Sequence, residues 1–356
     1  MESEIEEIAK KIEKGERLSL EEGLRLYDAP LLTIGELAKK VKERLHGKKV
    51  YYVYNQHINY SNICKNLCKF CAFGKPKGDP QGFTLTLEEI EQKIKARLDE
   101  PIKEIHIVGS VQPDLPFDYY VELIKLVHSL CPEAIIKAYT ITEIAHFTEI
   151  SGKNTEQVLR ILKEAGVQVL PGGGAEIFAQ RVRQKICPRK ISGEKWLNIA
   201  QIAHRSGIPT NCTMLFGHIE TKRERVEHLI ALREVQDKTG GFICFIPLCF
   251  HPQNTKLAHL PGPSGIDILK TIAISRIMLD NIPHIKAYWV MLTPKLAQVA
   301  LNFGADDLDG TIIEEKITHM AEAQSPQALT RAELASLIRE TGYKPIERDT
   351  FFREIS

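Results

Sequence analysis

The stretch KKVYYVYNQHINYSNICKNLCKFCAFG, residues 48–74, contains two patterns next to each other: the composition of a β-strand and a group of closely spaced cysteines. Residues 50–59 are rich in tyrosine and valine, a composition that favours a β-strand. Three cysteines, Cys64, Cys68 and Cys71, follow within eight positions. The stretch therefore predicts a strand that runs directly into a cysteine-bearing loop.

A helix is expected after this loop, because Thr86 and Glu89 have the spacing of a capping box and apolar residues from Leu87 to Leu98 recur on one helical face. Farther along the chain, β-rich runs alternate with amphipathic patterns, which is typical of βα units on a parallel sheet. The expected strands are residues 50–59, 104–109, 134–140, 167–172, 209–217, 242–250, 285–292 and a short one at 306–311. The further helices are expected at about residues 118–130, 154–165, 193–206, 222–238, 266–280 and 294–303.

Eight βα units predict an α/β fold, namely a (β/α)8 barrel of the TIM type with an N-terminal helical extension. A doubly wound open sheet is the alternative, but no Gly-x-Gly-x-x-Gly turn opens the first helix. Residues 1–47 form the expected extension, with capping-box patterns at Ser19–Glu22 and Thr33–Glu36. Residues 48–320 are assigned to the barrel, and residues 321–356 to a C-terminal helical tail packed on it.

Composition excludes several classes of partner. Of the 356 residues, 43% are hydrophobic and 26% are charged, and the formal net charge is +1. Nucleic acid is not expected as a partner, because proteins that follow phosphate backbones usually carry a basic excess. No apolar run approaches the roughly 18 residues of a membrane span, and no cationic leader precedes an apolar segment. We therefore expect a cytoplasmic globular protein that has no membrane partner.

The cysteine spacing, C-x-x-x-C-x-x-C, indicates a metal centre rather than a disulfide framework. Structural zinc prefers four closed ligands, and no fourth cysteine or histidine stands at ligand spacing just beyond Cys71. Three thiolates can instead hold three irons of a [4Fe–4S] cluster and leave the fourth iron open. Structural zinc completed by a remote residue is the alternative. Five scattered cysteines have no assigned role: Cys131, Cys187, Cys212, Cys244 and Cys249.

This spacing, with Phe70 directly before the last cysteine, resembles the radical S-adenosylmethionine superfamily. The resemblance implies that Cys64, Cys68 and Cys71 bind a [4Fe–4S] cluster whose open iron chelates S-adenosylmethionine. It also implies an external one-electron reductant, because an electron from the reduced cluster cleaves S-adenosylmethionine into methionine and a 5′-deoxyadenosyl radical. The loop follows the first expected strand, on the face where barrel enzymes place their active sites, so the motif and the fold agree.

Later segments resemble the aminodeoxyfutalosine synthase family of the futalosine pathway to menaquinone. They include EIHIVGSVQPDLPFDYY (104–120), IKAYTITEI (136–144), LPGGGAEIF (170–178), TMLFGHIET (213–221) and FIPLCFHPQNT (245–255). The resemblance implies a transferase that consumes S-adenosylmethionine as a co-substrate. Its adenosyl radical adds to the enolpyruvyl double bond of 3-[(1-carboxyvinyl)oxy]benzoate, and 6-amino-6-deoxyfutalosine, methionine and bicarbonate are formed.

Three alternatives stay open on the sequence. Two are related radical enzymes, the dehypoxanthine futalosine cyclase and the synthase of the deazaflavin cofactor. The third is a protein without catalytic activity that uses the cysteine loop to hold an iron–sulfur cluster or a zinc ion. Metal and sulfide analysis separates the third from the others, and product analysis separates the first two from the synthase.

Further site residues are expected where the strands end. The candidate cofactor-binding residues are Phe70, Gly109, Ser110, Glu143, Gly173 and Gly174. The candidate catalytic residues are Lys137, Glu176 and His218. Glu176 is a candidate for proton transfer, although a carboxylate at a helix N-terminus can also be purely structural.

The substrate implied by the resemblance has two carboxylates, so basic side chains are expected to bind it. The candidates are Lys137, Arg181, Arg183, Lys190, His218 and His251. The sequence does not choose among them.

Overall fold

The structure, a computed structural model, describes residues 2–312 and 314–355. The helices are α1 Glu2–Lys14, α2 Leu20–Asp28, α3 Leu31–His46, α4 Leu87–Lys95, α5 Phe117–Leu130, α6 Ile141–Ser151, α7 Thr155–Ala165, α8 Gln180–Ile186, α9 Gly193–Arg205, α10 Lys222–Thr239, α11 Gly265–Met278, α12 Trp289–Leu292, α13 Pro294–Ala300 and α14 Arg331–Glu340. The strands are β1 Lys49–Val53, β2 Asn55–Ile58, β3 Glu104–Ile107, β4 Ile135–Ala138, β5 Thr210–Phe216, β6 Phe242–Cys249, β7 His284–Ile285, β8 Asp307–Gly310 and β9 Lys344–Glu347.

The strands close into a parallel barrel. Ladders join β8 to β1, β2 through β3 to β4, and β5 through β6 to β7. Single bridges complete the ring at Lys137–Val169, Leu170–Thr210 and Lys286–Asp307. β1 and β2 are the two halves of the first expected strand, separated at Tyr54, whose carbonyl accepts hydrogen bonds from the chain entering β3. The predicted (β/α)8 barrel is confirmed.

Two expected strands differ from the structure. The strand expected at residues 285–292 ends at Ile285, and Trp289–Leu292 is a short helix. The buried indole of Trp289 donates to the Gly310 carbonyl at 2.9 Å, which turns the chain across the end of β8. The strand expected at residues 167–172 is reduced to two bridged residues, because Pro171 has no N–H to continue the pairing.

The N-terminal extension consists of α1, α2 and α3, with α3 packed against α11 and α2 against α10. The capping box at Ser19–Glu22 is confirmed. The box expected at Thr33–Glu36 is wrong, because Pro30 is the N-cap and α3 begins at Leu31. Thr33 therefore lies inside the first turn of the helix, three residues after the N-cap, and not at the N-cap position from which a side chain caps the free amides.

The C-terminal segment contains α14 and also a strand that the sequence analysis did not expect. β9 runs parallel to β1, with Lys344 opposite Lys49 and Glu347 opposite Tyr52. Beside its end, Arg348 reaches back into the barrel and donates to Asp307 at 2.6 Å. The last strand is thus joined to β1 by backbone pairing, and the residue that follows it is joined to β8 by a side-chain contact.

Arg348 belongs to a set of six buried charged side chains, which we call the barrel ion network: Glu104, Lys137, Lys286, Asp307, Asp309 and Arg348. Lys137 contacts Glu104 at 2.6 Å, Lys286 contacts Asp309 at 2.8 Å, and Arg348 contacts Asp307. Three acids therefore face three bases, and the network carries no net charge of its own.

Candidate active site

The cysteine loop follows β2 and is fixed by backbone contacts to its neighbours. The amide of Cys64 donates to the Lys75 carbonyl at 2.8 Å, and the hydroxyl of Ser110 donates to the Ile63 carbonyl at 2.6 Å. Leu67 takes a positive φ of 44°, a conformation that non-glycine residues rarely adopt outside strained functional loops. The loop is therefore held in a specific shape before any ligand binds.

The three thiols border a small cavity of about 120 Å³, which we call the cofactor pocket. Six of its other lining residues are Phe70, Gly109, Ser110, Glu143, Gly174 and Lys190. Burial raises the pKa of Cys71 to about 11, and a hydrogen bond with Cys187 together with burial raises that of Cys68 well above its usual value. A bound metal would deprotonate these thiols, so cluster binding would release protons.

The number of thiols in the loop distinguishes a cluster from structural zinc. A structural zinc ion takes four protein ligands, whereas this loop supplies three free cysteines to one pocket. Three thiols of one loop suit three irons of a four-iron cluster and leave the fourth iron open. In the described part of the chain, a separate group of possible metal ligands, His46, His284 and Asp306, has its ligand atoms within 4.8 Å of one another.

Glu143 shapes the cofactor pocket through contacts within the protein. It closes the capping box of α6 with Thr140, and its carboxylate also accepts from the Gly109 amide at 3.2 Å and from the hydroxyl of Tyr60. Burial raises the pKa of Glu143. The same hydroxyl of Tyr60, which the sequence analysis did not single out, also lies 3.0 Å from the Ser110 carbonyl, so its one proton is shared between the two acceptors. The ends of β2, β3 and β4 are thereby locked together.

The glycine-rich turn at residues 171–176 brings Glu176 to the pocket. Glu176 has a positive φ of 49° and pairs with Lys190 at 2.5 Å. Although burial opposes it, the charge of Glu176 raises the pKa of Lys190, which stays cationic beside Cys68 and Cys187. Arg183 fixes the turn by donating to backbone carbonyls, including that of Ala175 at 2.5 Å. The sequence offered Lys190 only as a possible anion anchor.

Gly172→Ala is expected to destabilise the protein by about 3 kcal/mol or more, because the new Cβ would lie 1.9 Å from the Asn211 carbonyl oxygen and φ is +74°. Gly152→Ala is the matched control, since φ is +67° there but no atom lies within 4 Å. The control should cost only about 1–2 kcal/mol. Urea unfolding of both variants measures the difference, and equal losses would contradict a close packing of this turn.

A larger cavity of about 270 Å³ adjoins the cofactor pocket, and we call it the substrate cavity. The two share Phe70, Cys71, Gly109, Thr140 and Gly174. Gly173 and Glu176 also line the larger cavity. Its apolar walls are formed mainly by Val108, Pro171, Leu215, Ile246, Leu248, Phe250, Tyr288, Met291 and Ile317. The cysteine loop is therefore next to the substrate cavity, whose apolar walls suit an apolar ring.

Two candidate catalytic residues do not border this cavity. Lys137 is buried in its pair with Glu104 in the barrel ion network. The side chain of His218 is buried too, with Nε2 3.0 Å from the Leu215 carbonyl and Nδ1 2.8 Å from Glu220. The structure therefore brings Glu176 to the cavity and leaves these two in its supporting framework.

Most of the basic candidates for substrate binding have partners of their own. Arg181 pairs with Glu224 at 2.6 Å, and Lys190 pairs with Glu176. His251 lines the substrate cavity, with Nε2 2.9 Å from the Met291 carbonyl. Two histidines that the sequence analysis did not name, His57 and His106, also line it. The only sign of them in the sequence was that each is a polar residue within a buried strand.

The scattered cysteines form no second cluster with the loop. Cys212, Cys244 and Cys249 are buried on β5 and β6, and their thiols lie 3.2–3.7 Å from backbone carbonyls. Cys131 caps α5, and Cys187 is buried beside Cys68. Packing accounts for the three strand cysteines, because buried cysteine behaves as a small hydrophobe.

Comparison with known families agrees with this geometry. Residues 58–232 match the radical SAM superfamily, and residues 239–355 match the family described as CofH/MqnC C-terminal region. A solved structure of methylornithine synthase superposes with a TM-score of 0.77 at 19% identity, covering 95% of this chain and 97% of that one. This likeness supports the barrel fold. The fold and the cysteine pocket thus define a radical S-adenosylmethionine enzyme, which carries a [4Fe–4S] cluster and needs a reductant and a small-molecule substrate.

Proteins of similar sequence identify the family within this class of enzymes. Aminodeoxyfutalosine synthase of Thermus thermophilus is 47% identical, with 98% of this chain and 95% of that protein covered. The synthase of Streptomyces coelicolor is 42% identical, with 97% and 92% covered. A cyclic dehypoxanthine futalosine synthase of the same organism is 35% identical, with 99% and 89% covered. The chain belongs to the aminodeoxyfutalosine synthase family, whose members serve menaquinone biosynthesis by the futalosine route. Among the described residues, no helix is long and apolar enough to cross a membrane.

Proposed function

We propose that the protein is a transferase that joins the 5′-deoxyadenosyl group of S-adenosylmethionine to 3-[(1-carboxyvinyl)oxy]benzoate, giving 6-amino-6-deoxyfutalosine and methionine, with one carboxyl carbon lost and released, after it takes up water, as bicarbonate and a proton. The observation that carries the proposal is the common wall between the cofactor pocket and the substrate cavity. Five residues belong to both, so a group released in the pocket meets a ligand in the cavity without crossing solvent. Identity to synthases of 42–47% over nearly the whole chain supports the choice of substrate.

The cluster, when bound, supplies the electron that cleaves S-adenosylmethionine. Cys64, Cys68 and Cys71 would each hold one iron, since all three are free cysteines of one loop that line the cofactor pocket. Gly109, Ser110, Gly173 and Gly174 contribute backbone to the walls that receive S-adenosylmethionine. Phe70 lies between pocket and cavity, where its ring can cover the adenosyl group.

The walls of the substrate cavity do two things for this reaction. Their leucine, isoleucine, valine and phenylalanine side chains offer dispersion contacts to an aromatic ring. A substrate packed against them would be shielded from water on that side, which favours a reactive carbon radical. Tyr288 lines the same space with a buried phenol, whose pKa is raised by burial, so it stays a neutral hydrogen-bond donor.

Glu176 and Lys190 are assigned to the boundary between the two spaces. Lys190 places a positive charge near the thiolates, which would stabilise the additional negative charge of a reduced cluster. Glu176 holds that ammonium in place and can exchange a proton with bound ligand. Lys137 and His218 support the barrel rather than contact substrate, and Glu143 positions the loops around S-adenosylmethionine.

The test is anaerobic reconstitution followed by turnover of the enolpyruvyl benzoate with dithionite and S-adenosylmethionine. We expect roughly four irons and four sulfides per chain and an adenosyl adduct of the benzoate as the main product. Free 5′-deoxyadenosine without an adduct would overturn the proposal and favour a hydrogen-abstracting relative such as the cyclase. Zinc without sulfide would contradict a radical enzyme of any kind.

A further inference from the structure

The inner end of the substrate cavity contains a pair of histidines. His57 on β2 and His106 on β3 stand opposite each other in the strand register. Their rings are stacked, with centroids 4.4 Å apart and planes inclined by 18°. Both line the cavity, although His57 is only 3% exposed. The pair therefore offers imidazole nitrogens to a ligand that fills the cavity.

The cavity contains no uncommitted cation. None of its described lining residues is lysine or arginine. Each lining acid is matched by its own cation, in the pairs Asp309–Lys286 at 2.8 Å, Glu315–His319 at 3.3 Å and Glu176–Lys190 at 2.5 Å. The hydrogen bond to Glu315 raises the pKa of His319 to about 9, so that pair is ionised at neutral pH. The cavity is therefore electrically neutral before substrate binds.

A benzoate carboxylate placed in this cavity would be a buried charge without a counter-charge, which is strongly unfavourable. Only the histidines of the cavity can become cationic near neutral pH. His251 already contacts the Met291 carbonyl at 2.9 Å. Neither of the other two rings is held by a short hydrogen bond, since His106 has a buried Nδ1 that lies 4.0 Å from Glu104 without a hydrogen-bond partner, and His57 has only a long contact of 3.5 Å with Asn55. These two rings have the more available nitrogens.

We propose that the ring carboxylate of the benzoate substrate binds against the His57–His106 pair, and that binding takes up one proton from solvent, which the two imidazoles share. This inference rests on the proposed function, because it takes the benzoate as the ligand. The pair holds one proton rather than two, since two positive rings 4.4 Å apart would repel each other. The enolpyruvyl end then points away from the pair, toward the cofactor pocket.

The surroundings of the pair set the direction of the pH dependence. The charged groups that face it are Glu104, Lys137, Lys286, Asp309 and Glu315. Burial lowers the pKa of His57, and burial together with His57 lowers that of His106 well below its usual value, so both are neutral in the free protein at neutral pH. A bound carboxylate raises the pKa of the pair. Between the free and the bound pKa, the dissociation constant should rise about tenfold per pH unit.

Isothermal titration of the reconstituted, unreduced protein with the enolpyruvyl benzoate tests this without turnover. Titrations at about pH 7.5 in phosphate and in Tris differ in buffer ionisation heat, and the difference counts the protons taken up. We expect about one proton for the benzoate and none for the matched benzamide, in which the ring carboxylate is replaced by a neutral amide. Equal proton uptake by the two ligands, or none by the benzoate, would overturn the proposal.

Variants of the two histidines provide a second test of the proposal. His57→Gln/His106→Gln should bind the benzoate at least tenfold more weakly and without proton uptake. His204→Gln is the matched control, because His204, on α9, lies outside the cavity with its ring against Thr239, Thr210 and Phe242, and the variant should give the same binding titration as the parent. Uptake that persists in the double variant overturns the pair as the acceptor. An adenosyl adduct formed without proton uptake would refute this inference alone, whereas uptake without an adduct would refute the proposed reaction alone.

Discussion

Cys68→Ala is expected to abolish cluster assembly and every product of S-adenosylmethionine cleavage. Cys68 is the most buried of the three loop cysteines, and it lines the cofactor pocket with Lys190 and Cys187 as neighbours. Loss of an outer partner of a metal ligand typically lowers affinity or activity 10–100-fold, and loss of a ligand should cost more. Iron and sulfide analysis after anaerobic reconstitution, with chromatography of the turnover mixture, measures both effects.

Cys212→Ala is the matched control for this loss. Cys212 is also a buried cysteine, but it lies on β5, where its thiol faces the Cys244 carbonyl at 3.7 Å. This variant should retain full iron content and full adduct formation, with at most a small loss of stability. A Cys68→Ala protein that keeps a complete cluster would contradict the assignment of the loop. Parallel circular dichroism spectra separate loss of cluster from loss of fold.

The barrel could be predicted from the sequence because its signals are local. Alternating β-rich and amphipathic segments and the capping box at Thr86 are each contained in a short window. The prediction failed where a distant contact decides the local structure. Residues 285–292 have a strand-like composition, but the strand ends at Ile285 and residues 289–292 form a short helix, where Trp289 donates to the distant Gly310 carbonyl. β9 was missed because its partner, β1, lies some 300 residues earlier.

The candidate site could likewise be predicted only in part: residues close together in the sequence were found, and contacts formed only in the fold were not. The three cysteines lie within one loop, so their spacing alone indicated a metal centre. The pairing of Tyr60 with Glu143 spans 83 positions, and the stacking of His57 on His106 depends on strand register. Neither can be derived from a local pattern. Glu143 and Lys137 are residue types suited to ligand binding. In the structure, however, both contact buried partners within the fold.

Arg348→Met is expected to reduce the free energy of unfolding by about 3–5 kcal/mol, because removing one member of a buried ion pair leaves the other uncompensated. Arg348 is 1% exposed and donates to Asp307 at 2.6 Å, and its guanidinium lies 4.0 Å from the ring centroid of Phe352. Asp307 would retain the Asp309 amide at 2.8 Å and, as a cationic neighbour, the more distant Lys286 at 3.4 Å. The barrel ion network would then contain three acids and two bases. Urea unfolding of the reconstituted protein measures the loss.

Arg353→Met is the matched control, because the Arg353 side chain is 70% exposed and its pair with Asp349 is open to solvent. Its effect should stay within about 0.5 kcal/mol.

Arg348→Met/Asp307→Asn should regain part of the stability, since the uncompensated charge is removed. A double variant no more stable than Arg348→Met would refute the ion-pair explanation. Hydrogen exchange should locate the damage, with faster exchange of the amides that β9 and β1 share than of those between β5 and β6. Such a pattern would mean that the last strand of the chain depends on a charge in the centre of the barrel.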